Sequence, residues 1–381
     1  MSKTTITLFF TYGVSIKTWA ETGLLQREIR IYHELMQRFG IEVQFLTYGD
    51  ATDHNWESDL NGIKLLPVYE RLRRPTNKFL SLLQTIIIPW TFREELKQTD
   101  LLKTNQTWGG WVAVISKWVF HKPLLVRCGY EFYDFACKMG RSRTFQFLAY
   151  WICRLIYSQA DHIQVASLSD RKILEKQFKI PSNKINDRPN WIDSDVFRPL
   201  ELSTNKKILF VGRMTGQKNI NLILYALEGT SNSLDIVGDG DMRDDLEKLA
   251  KKLKVHVKFL GRIPNNRLPY MYNRCSVYIL CSKFEGNPKA LLEAMSCGCA
   301  VIGTKVPGIR EVIRHEHTGL LVAESQKGLQ EAINRLLDDD RLRNRLGERA
   351  RQYILENNSL NDAIEKECTL YQKLLNHKSV A

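Results

Sequence analysis

Cys281 to Val301 reads C-S-K-F-E-G-N-P-K-A-L-L-E-A-M-S-C-G-C-A-V, and the fold class turns on how that stretch is parsed. In front of it, Ser276–Cys281 (S-V-Y-I-L-C) has the composition of a short buried strand. Asn287 is placed to cap a helix, Pro288 to take its first position, and an apolar-rich run follows. Ser282–Asn287 then becomes a strand-to-helix loop, the kind at which open parallel sheets take ligands. Free N–H groups at such a helix start, those of Gly286, Asn287 and Lys289 on either side of Pro288, can hold an anion, and Gly286 has no Cβ to keep a phosphate away. Glu285 falls on the loop and Glu293 on the second helical turn, both beside that anion site. Two carboxylates there fit a ligand that also presents hydroxyls, because an ionised carboxylate is purely a hydrogen-bond acceptor. A nucleotide sugar has both features.

Working outward, three more strand ends carry glycine or cations. Lys207–Val211 runs into Gly212-Arg213, and Lys218-Asn219 opens the next helix. Val237-Gly238-Asp239-Gly240 and Gly261-Arg262-Ile263-Pro264 end two further strands. Arginine suits a bidentate hold on phosphate and lysine acts as a point charge.

The run E-G-N-P-K-A-L-L-E, Glu285 to Glu293, resembles the E-x7-E signature of the retaining glycosyltransferases of family 4. The G-R strand end with a lysine five residues on, and the glycine turns at Gly238 and Gly261, match the same family in the same order. The resemblance implies an α/β protein of the GT-B fold, two Rossmann-like domains facing each other across a cleft, with a C-terminal helix crossing back to the first. It implies donor binding by Gly212, Gly238, Gly286, Asn287, Pro288 and Lys289, with Ile263 meeting the base through its backbone and Glu293 accepting from ribose hydroxyls. Glu285 would bind the transferred sugar, and Arg213 and Lys218 would stabilise the departing diphosphate. Donor transfer in this family calls for no cofactor and no metal. The implied partners are a nucleotide-diphosphate sugar and a glycan or polyprenyl-linked acceptor used in cell-surface polysaccharide synthesis.

The first half is matched in layout. Thr5–Phe10 is strand-like, Thr11–Thr22 reads as a loop, and Gly23 leads into Leu24–Phe39, where Leu25, Ile29, Tyr32, Leu35 and Met36 recur at helical spacing. Val43–Thr47 follows as a strand, completing the opening of a Rossmann-like half. By the resemblance, Gly23 faces the donor diphosphate, although the usual paired glycine is replaced by Thr22. Helices are expected over Asn77–Leu96 and Trp108–Phe120. Many relatives carry a histidine after a middle strand. Here Leu124–Cys128 is followed by Gly129-Tyr130-Glu131-Phe132, which makes Arg127 and Tyr130 candidates for the acceptor side. Asn190–Pro199 resembles the family's interdomain stretch. The expected domains are therefore 1–198 for the acceptor, 199–360 for the donor, and 361–381 as the returning helix.

At 381 residues, 44% hydrophobic and 25% charged, the chain is globular and long enough for two domains. A formal charge of +13 implies an anionic partner, and charge alone leaves nucleic acid, acidic phospholipid and a phosphorylated substrate open. No compact nucleic-acid motif is present, so nucleic acid is not expected. The eight cysteines are scattered without zinc spacing, which favours reduced thiols and no metal site. The N-terminus lacks the apolar length of a secretory signal, and no run reaches the roughly 18 apolar residues of a membrane span. A cytoplasmic protein is expected, with peripheral contact at an anionic membrane left open by two basic, aromatic segments. These are Arg71–Trp90 and Arg141–Arg154; a solvated basic face over ordinary core helices accounts for them equally well. A catalytically silent nucleotide-sugar or nucleic-acid binder and a nucleotide-sugar epimerase are the alternative functions.

Overall fold

A computed structural model of the chain describes residues 4–202 and 207–376. The chain divides into two compact units, one formed by residues up to Arg188 together with those from Ile364 on, the other by Pro189–Ala363.

The first unit is built on seven strands: β1 (Thr5–Phe9), β2 (Glu42–Thr47), β3 (Lys64–Pro67), β4 (Leu101–Thr104), β5 (Leu124–Cys128), β6 (His162–Val165) and β7 (Ile185–Asp187). They lie in the order β3-β2-β1-β4-β5-β6-β7, all parallel. Parallel strands need crossovers, and buried apolar strands such as β1, all of whose residues are buried, need cover on both faces. On one face the helices over Ile88–Thr91, Trp111–Phe120 and Arg143–Gln159 share a core with β4, β5 and β6.

The second unit repeats the plan with β8 (Lys207–Val211), β9 (Ser233–Val237), β10 (His256–Gly261), β11 (Val277–Leu280), β12 (Ala300–Thr304) and β13 (Leu320–Val322), in the parallel order β10-β9-β8-β11-β12-β13. Strand order reverses between β1 and β4 in the first sheet and between β8 and β11 in the second. In doubly wound sheets the loops leaving such a pair of strands border the ligand crevice.

Several local expectations change. The stretch 11–22 contains a helix, Ile16–Glu21, capped by Ser15 and by buried Asp53, whose carboxylate accepts from the N–H groups of Ile16 and Lys17. The helix expected over Asn77–Leu96 is broken into Lys78–Gln84, a 3₁₀ turn, Ile88–Thr91 and Arg93–Gln98, with Pro89 at a helix start where its missing N–H costs nothing. Gly109-Gly110 delays the helix expected from Trp108 until Trp111; Gly109 has φ +99°, and a Cβ there would meet the backbone N of Tyr12 at 2.6 Å. The division falls after Arg188 because the linker is stitched to the second unit. Ile192 bridges to Ser359, and the Arg351 guanidinium donates to the carbonyls of Ser194, Ser296 and Phe197.

Candidate active site

The switch point of the second sheet is framed by residues 212–219 after β8 and 281–288 after β11. The first of these segments ends in a 3₁₀ turn, Gly216–Lys218, before a helix over Ile220–Leu227. The two segments are laced together. Gln217 donates from its side chain to the Phe284 carbonyl at 2.9 Å and accepts from the Lys283 N–H at 2.9 Å. Lys218 Nζ donates to Glu285 Oε1 at 2.5 Å, and Ser282 Oγ donates to the same oxygen at 2.6 Å. Both bonds use Oε1, so Glu285 Oε2 keeps its acceptor capacity with no partner among the described residues. The N–H groups of Glu285, Gly286 and Asn287 likewise donate to no acceptor among the described residues. Arg213 is exposed, and its guanidinium makes no hydrogen bond or ion pair there either.

Glycine holds these backbones close. Gly238 has φ +128°, and a Cβ on it would stand 2.0 Å from the Gly212 carbonyl oxygen. Gly308, also at positive φ, would drive a Cβ to 2.1 Å from the Gly286 oxygen and 2.5 Å from that of Glu285. Sequence reasoning missed Gly308; the signal lay in Pro307-Gly308, a turn dipeptide just past β12.

Two expectations are corrected at the helix start, the capping role of Asn287 and the place of Pro288. The helix covers Lys289–Ser296 with Pro288 at its cap, and no side chain caps it. Asn287 is drawn away: its Oδ1 accepts from the Asn190 N–H at 2.8 Å, and its carbonyl accepts from the Asn190 side chain. Lys289 extends over the Trp191 ring at 5.1 Å, a cation–π contact. Glu293 is on the second turn as expected but only 2% exposed, with Oε2 accepting from Tyr272 OH at 3.0 Å and Oε1 from Asn265 at a long 3.5 Å. The Ile263 side chain packs on the core of the second unit, while its N–H and C=O make no hydrogen bond among the described residues. The sulfurs of Cys275 and Cys299 lie 3.8 Å apart.

The remaining candidates lie in the first unit. Gly23 has φ +71° and joins the helices Ile16–Glu21 and Leu25–Phe39, well past the end of β1. Tyr130 donates to Asp134 at 3.2 Å and accepts from Lys138 at 3.1 Å. Arg127 donates to the Arg188 carbonyl, and burial pulls its pKa down to about 10, the Arg188 guanidinium adding to the effect. It therefore belongs to a buried charge cluster with Arg188, Lys103 and Glu367. Glu131, which sequence reasoning passed over, is fully buried, caps the helix Phe132–Lys138 and accepts from Tyr157 OH at 3.1 Å.

A pair of doubly wound sheets, the second bearing a lysine–carboxylate pair and open amides at its switch point, has the GT-B architecture. Residues 193–353 match the sequence profile of the family Glycosyl transferases group 1. It is 32% identical over 202 residues to an N-acetylgalactosamine-N,N'-diacetylbacillosaminyl-diphospho-undecaprenol 4-alpha-N-acetylgalactosaminyltransferase of Campylobacter jejuni, covering 51% of this chain and 55% of that protein. It is 33% identical over 174 residues to an uncharacterized glycosyltransferase of Methanocaldococcus jannaschii, covering 44% and 45% respectively. The chain thus matches about half the length of these relatives. In fold it is similar to Anabaena HepE, solved in complex with UDP and glucose, with a TM-score of 0.76 at 16% identity over 97% of this chain and 100% of that one.

Proposed function

We propose that the protein is a retaining glycosyltransferase of family 4 that moves a hexosyl group from a nucleotide-diphosphate sugar to a glycan or polyprenyl-linked acceptor. The observation that carries the reading is the half-used pair at the second switch point. Lys218 fixes Glu285 through one oxygen, and among the described residues the other has no donor, the amides of Glu285, Gly286 and Asn287 have no acceptor, and the Arg213 guanidinium has no partner. The open carboxylate oxygen accepts a hydroxyl of the transferred sugar. The amides of Gly286 and Asn287, with Lys218 and Arg213, take the diphosphate.

In the reaction the bond between the anomeric carbon and the phosphate oxygen breaks, and the bond from the acceptor oxygen forms on the same face. The acceptor's proton passes to the departing phosphate oxygen, so nucleoside diphosphate leaves and no protein base is needed. Fixed cations and amides stabilise the charge that develops on that oxygen, without a metal. Glu293 takes ribose hydroxyls by displacing the long Asn265 bond, and the free backbone of Ile263 meets the base. The Campylobacter relative, named for a diphospho-undecaprenol substrate, supports a lipid-linked acceptor, and the family match over 193–353 supports transfer chemistry.

The test is release of nucleoside diphosphate from UDP-, GDP- and ADP-sugars, with and without a membrane lipid extract, by the wild type and Glu285→Gln. Turnover of one donor that Glu285→Gln abolishes is expected, with retained anomeric configuration by NMR. Tight nucleotide binding with no turnover of any donor would make this a binding protein instead.

A further inference from the structure

The helical layer on one face of the first sheet has an outer surface unlike that of an ordinary domain. Its helices bury Ile88, Val112, Val114, Cys153 and Ile156 against the sheet, so their opposite sides face outward. Those outward stripes are apolar. On the segment 78–91 they comprise Phe79, Leu83, Ile86, Ile87 and Trp90, between 45% and 65% exposed. On Arg143–Gln159 they comprise Phe147, Leu148, Trp151 and Leu155, between 41% and 68% exposed. Each set recurs at helical spacing of three and four residues, as on a helix face that expects a partner. The helix Trp111–Phe120 lies between them: Trp111 donates to Thr85 at 2.9 Å on one side, and Trp118, itself 49% exposed, donates to Gln159 at 3.0 Å on the other. The stripes therefore belong to one layer.

Its charge is one-sided. Residues 71–93, 104–126 and 135–160, which supply this layer, hold eleven lysines and arginines and no aspartate or glutamate, of which Arg71, Lys117 and Lys138 pair with Glu95, Asp161 and Asp134 on neighbouring segments. Arg73, Lys78, Arg93, Lys122, Arg141 and Arg143 have no ion-pair partner among the described residues. A solvated basic face would put these cations on the outward stripes. Instead the stripes are aromatic and aliphatic, with the cations flanking them. No helix among the described residues is long and apolar enough to cross a membrane.

We propose that this layer docks on the surface of an anionic phospholipid bilayer, with Trp90, Phe147 and Trp151 entering the headgroup boundary and the unpaired cations meeting lipid phosphates. Apolar rings flanked by unpaired cations complement that boundary in both respects, whereas a protein partner would have to supply a flat apolar face ringed by acids. The inference rests on the first unit alone and is read without any donor sugar, so its failure and that of the transferase reading are distinguishable.

The experiment is sedimentation of the full chain with vesicles of phosphatidylcholine alone and of phosphatidylcholine mixed with phosphatidylglycerol, at low and high salt. Binding to the mixed vesicles only, weakening with salt, is expected, with a blue shift of tryptophan emission. Removing each cation costs about fivefold in partitioning, so Arg141→Gln with Arg143→Gln loses about 25-fold on anionic vesicles. Phe147→Ser with Trp151→Ser loses at least about tenfold. All four positions are exposed, and unchanged thermal unfolding verifies that the variants fold; should either fail to, the salt and lipid dependence of the wild type decides. Equal sedimentation with neutral and mixed vesicles, or none with either, overturns the proposal, as does a dimer that quenches the exposed tryptophans and leaves vesicles unbound.

Discussion

Lys103 with Glu367 in the first unit, and Lys218 with Glu285 in the second, are both close lysine–carboxylate pairs, but their surroundings differ in how much of the carboxylate is used. Glu367 is wholly buried, and both of its oxygens are committed: Oε1 to Lys103 and Tyr371, Oε2 to Arg188 at 2.8 Å and Gln164 at 3.0 Å. Burial alone would push its pKa up, yet Lys103 and Arg188 outweigh that and hold it well below the usual carboxylate range. Glu285 commits one oxygen and leaves the other open. A carboxylate whose every lone pair is spent inside the protein can only hold the fold together. One with an oxygen to spare, at a switch point, can hold a ligand. Glu367 thereby fastens the last helix, Leu360–Asn376, to the sheet of the first unit through partners as much as 264 residues away in sequence.

The sharpest way to break this contrast is to remove each carboxylate or its partner and compare stability with turnover. Glu367→Gln leaves Lys103 and Arg188 buried beside Arg127 with no negative charge, and should cost about 3–5 kcal/mol in urea unfolding. Lys218→Ala should instead lower the rate of nucleoside diphosphate release by about 10²–10³, or about 2.7–4 kcal/mol of barrier, with a stability change below about 1 kcal/mol. If Lys218→Ala unfolds the protein as readily as Glu367→Gln does, both pairs are structural and the distinction fails.

The same contrast explains what could be read from sequence. The places of Glu285, Gly286 and Lys218 in loops after strands were legible because strand-to-helix punctuation is local. Lys207–Val211 is a strand over the expected residues, and Ser276–Cys281 differs from the observed Val277–Leu280 by one residue at each end. The cluster of Lys103, Arg188 and Glu367 was not legible, since nothing in the chain near Glu367 marks it as destined for a sheet face. Arg127, a candidate for the acceptor side by its place after β5, donates to the carbonyl of Arg188, a partner 61 residues on that nothing in the local sequence announces. Asn287 was misread because capping chemistry suits it, but Asn190 from the linker outcompetes the helix for its side chain. The outward aromatic stripes were visible as composition only. Their meaning depends on which side of each helix meets the sheet.

A finer probe is the glycine contact behind the second switch point. Gly238→Ala adds a Cβ that would stand 2.0 Å from the Gly212 oxygen, at a φ of +128° that L-residues avoid. The strain should cost about 1–3 kcal/mol of stability. It should also raise KM for the donor, because the Gly212-Arg213 backbone has to move. Gly23→Ala, at φ +71° with open space around its Cβ, meets no such neighbour and should lose only the backbone term, about 1–2 kcal/mol, with the donor KM unchanged. A donor KM that rises in Gly23→Ala as well would bring the first unit's turn into the donor site.

Glu131 supplies the smallest effect and the one with a pH signature. Burial raises its carboxyl pKa from 4.5 to about 7, against the opposing pull of the Asp134 N–H. Between pH 4.5 and about 7 the folded chain therefore keeps a proton that the unfolded chain has released. Stability from this group is complete below about pH 4.5 and is lost as pH rises through about 7, at no more than about 1.4 kcal/mol per pH unit. Glu131→Gln, which mimics the protonated form and can still accept from the Asp134 N–H, should match the wild type near pH 5 and be the more stable of the two near pH 8. Urea midpoints across that range measure the difference. Parallel curves for the two proteins would mean that the carboxyl ionises inside the fold at its ordinary pKa, with the Tyr157 and Asp134 hydrogen bonds sufficient to hold the charge. Glu131 would then stand with Glu367 as a buried charge that the first unit neutralises by its own contacts.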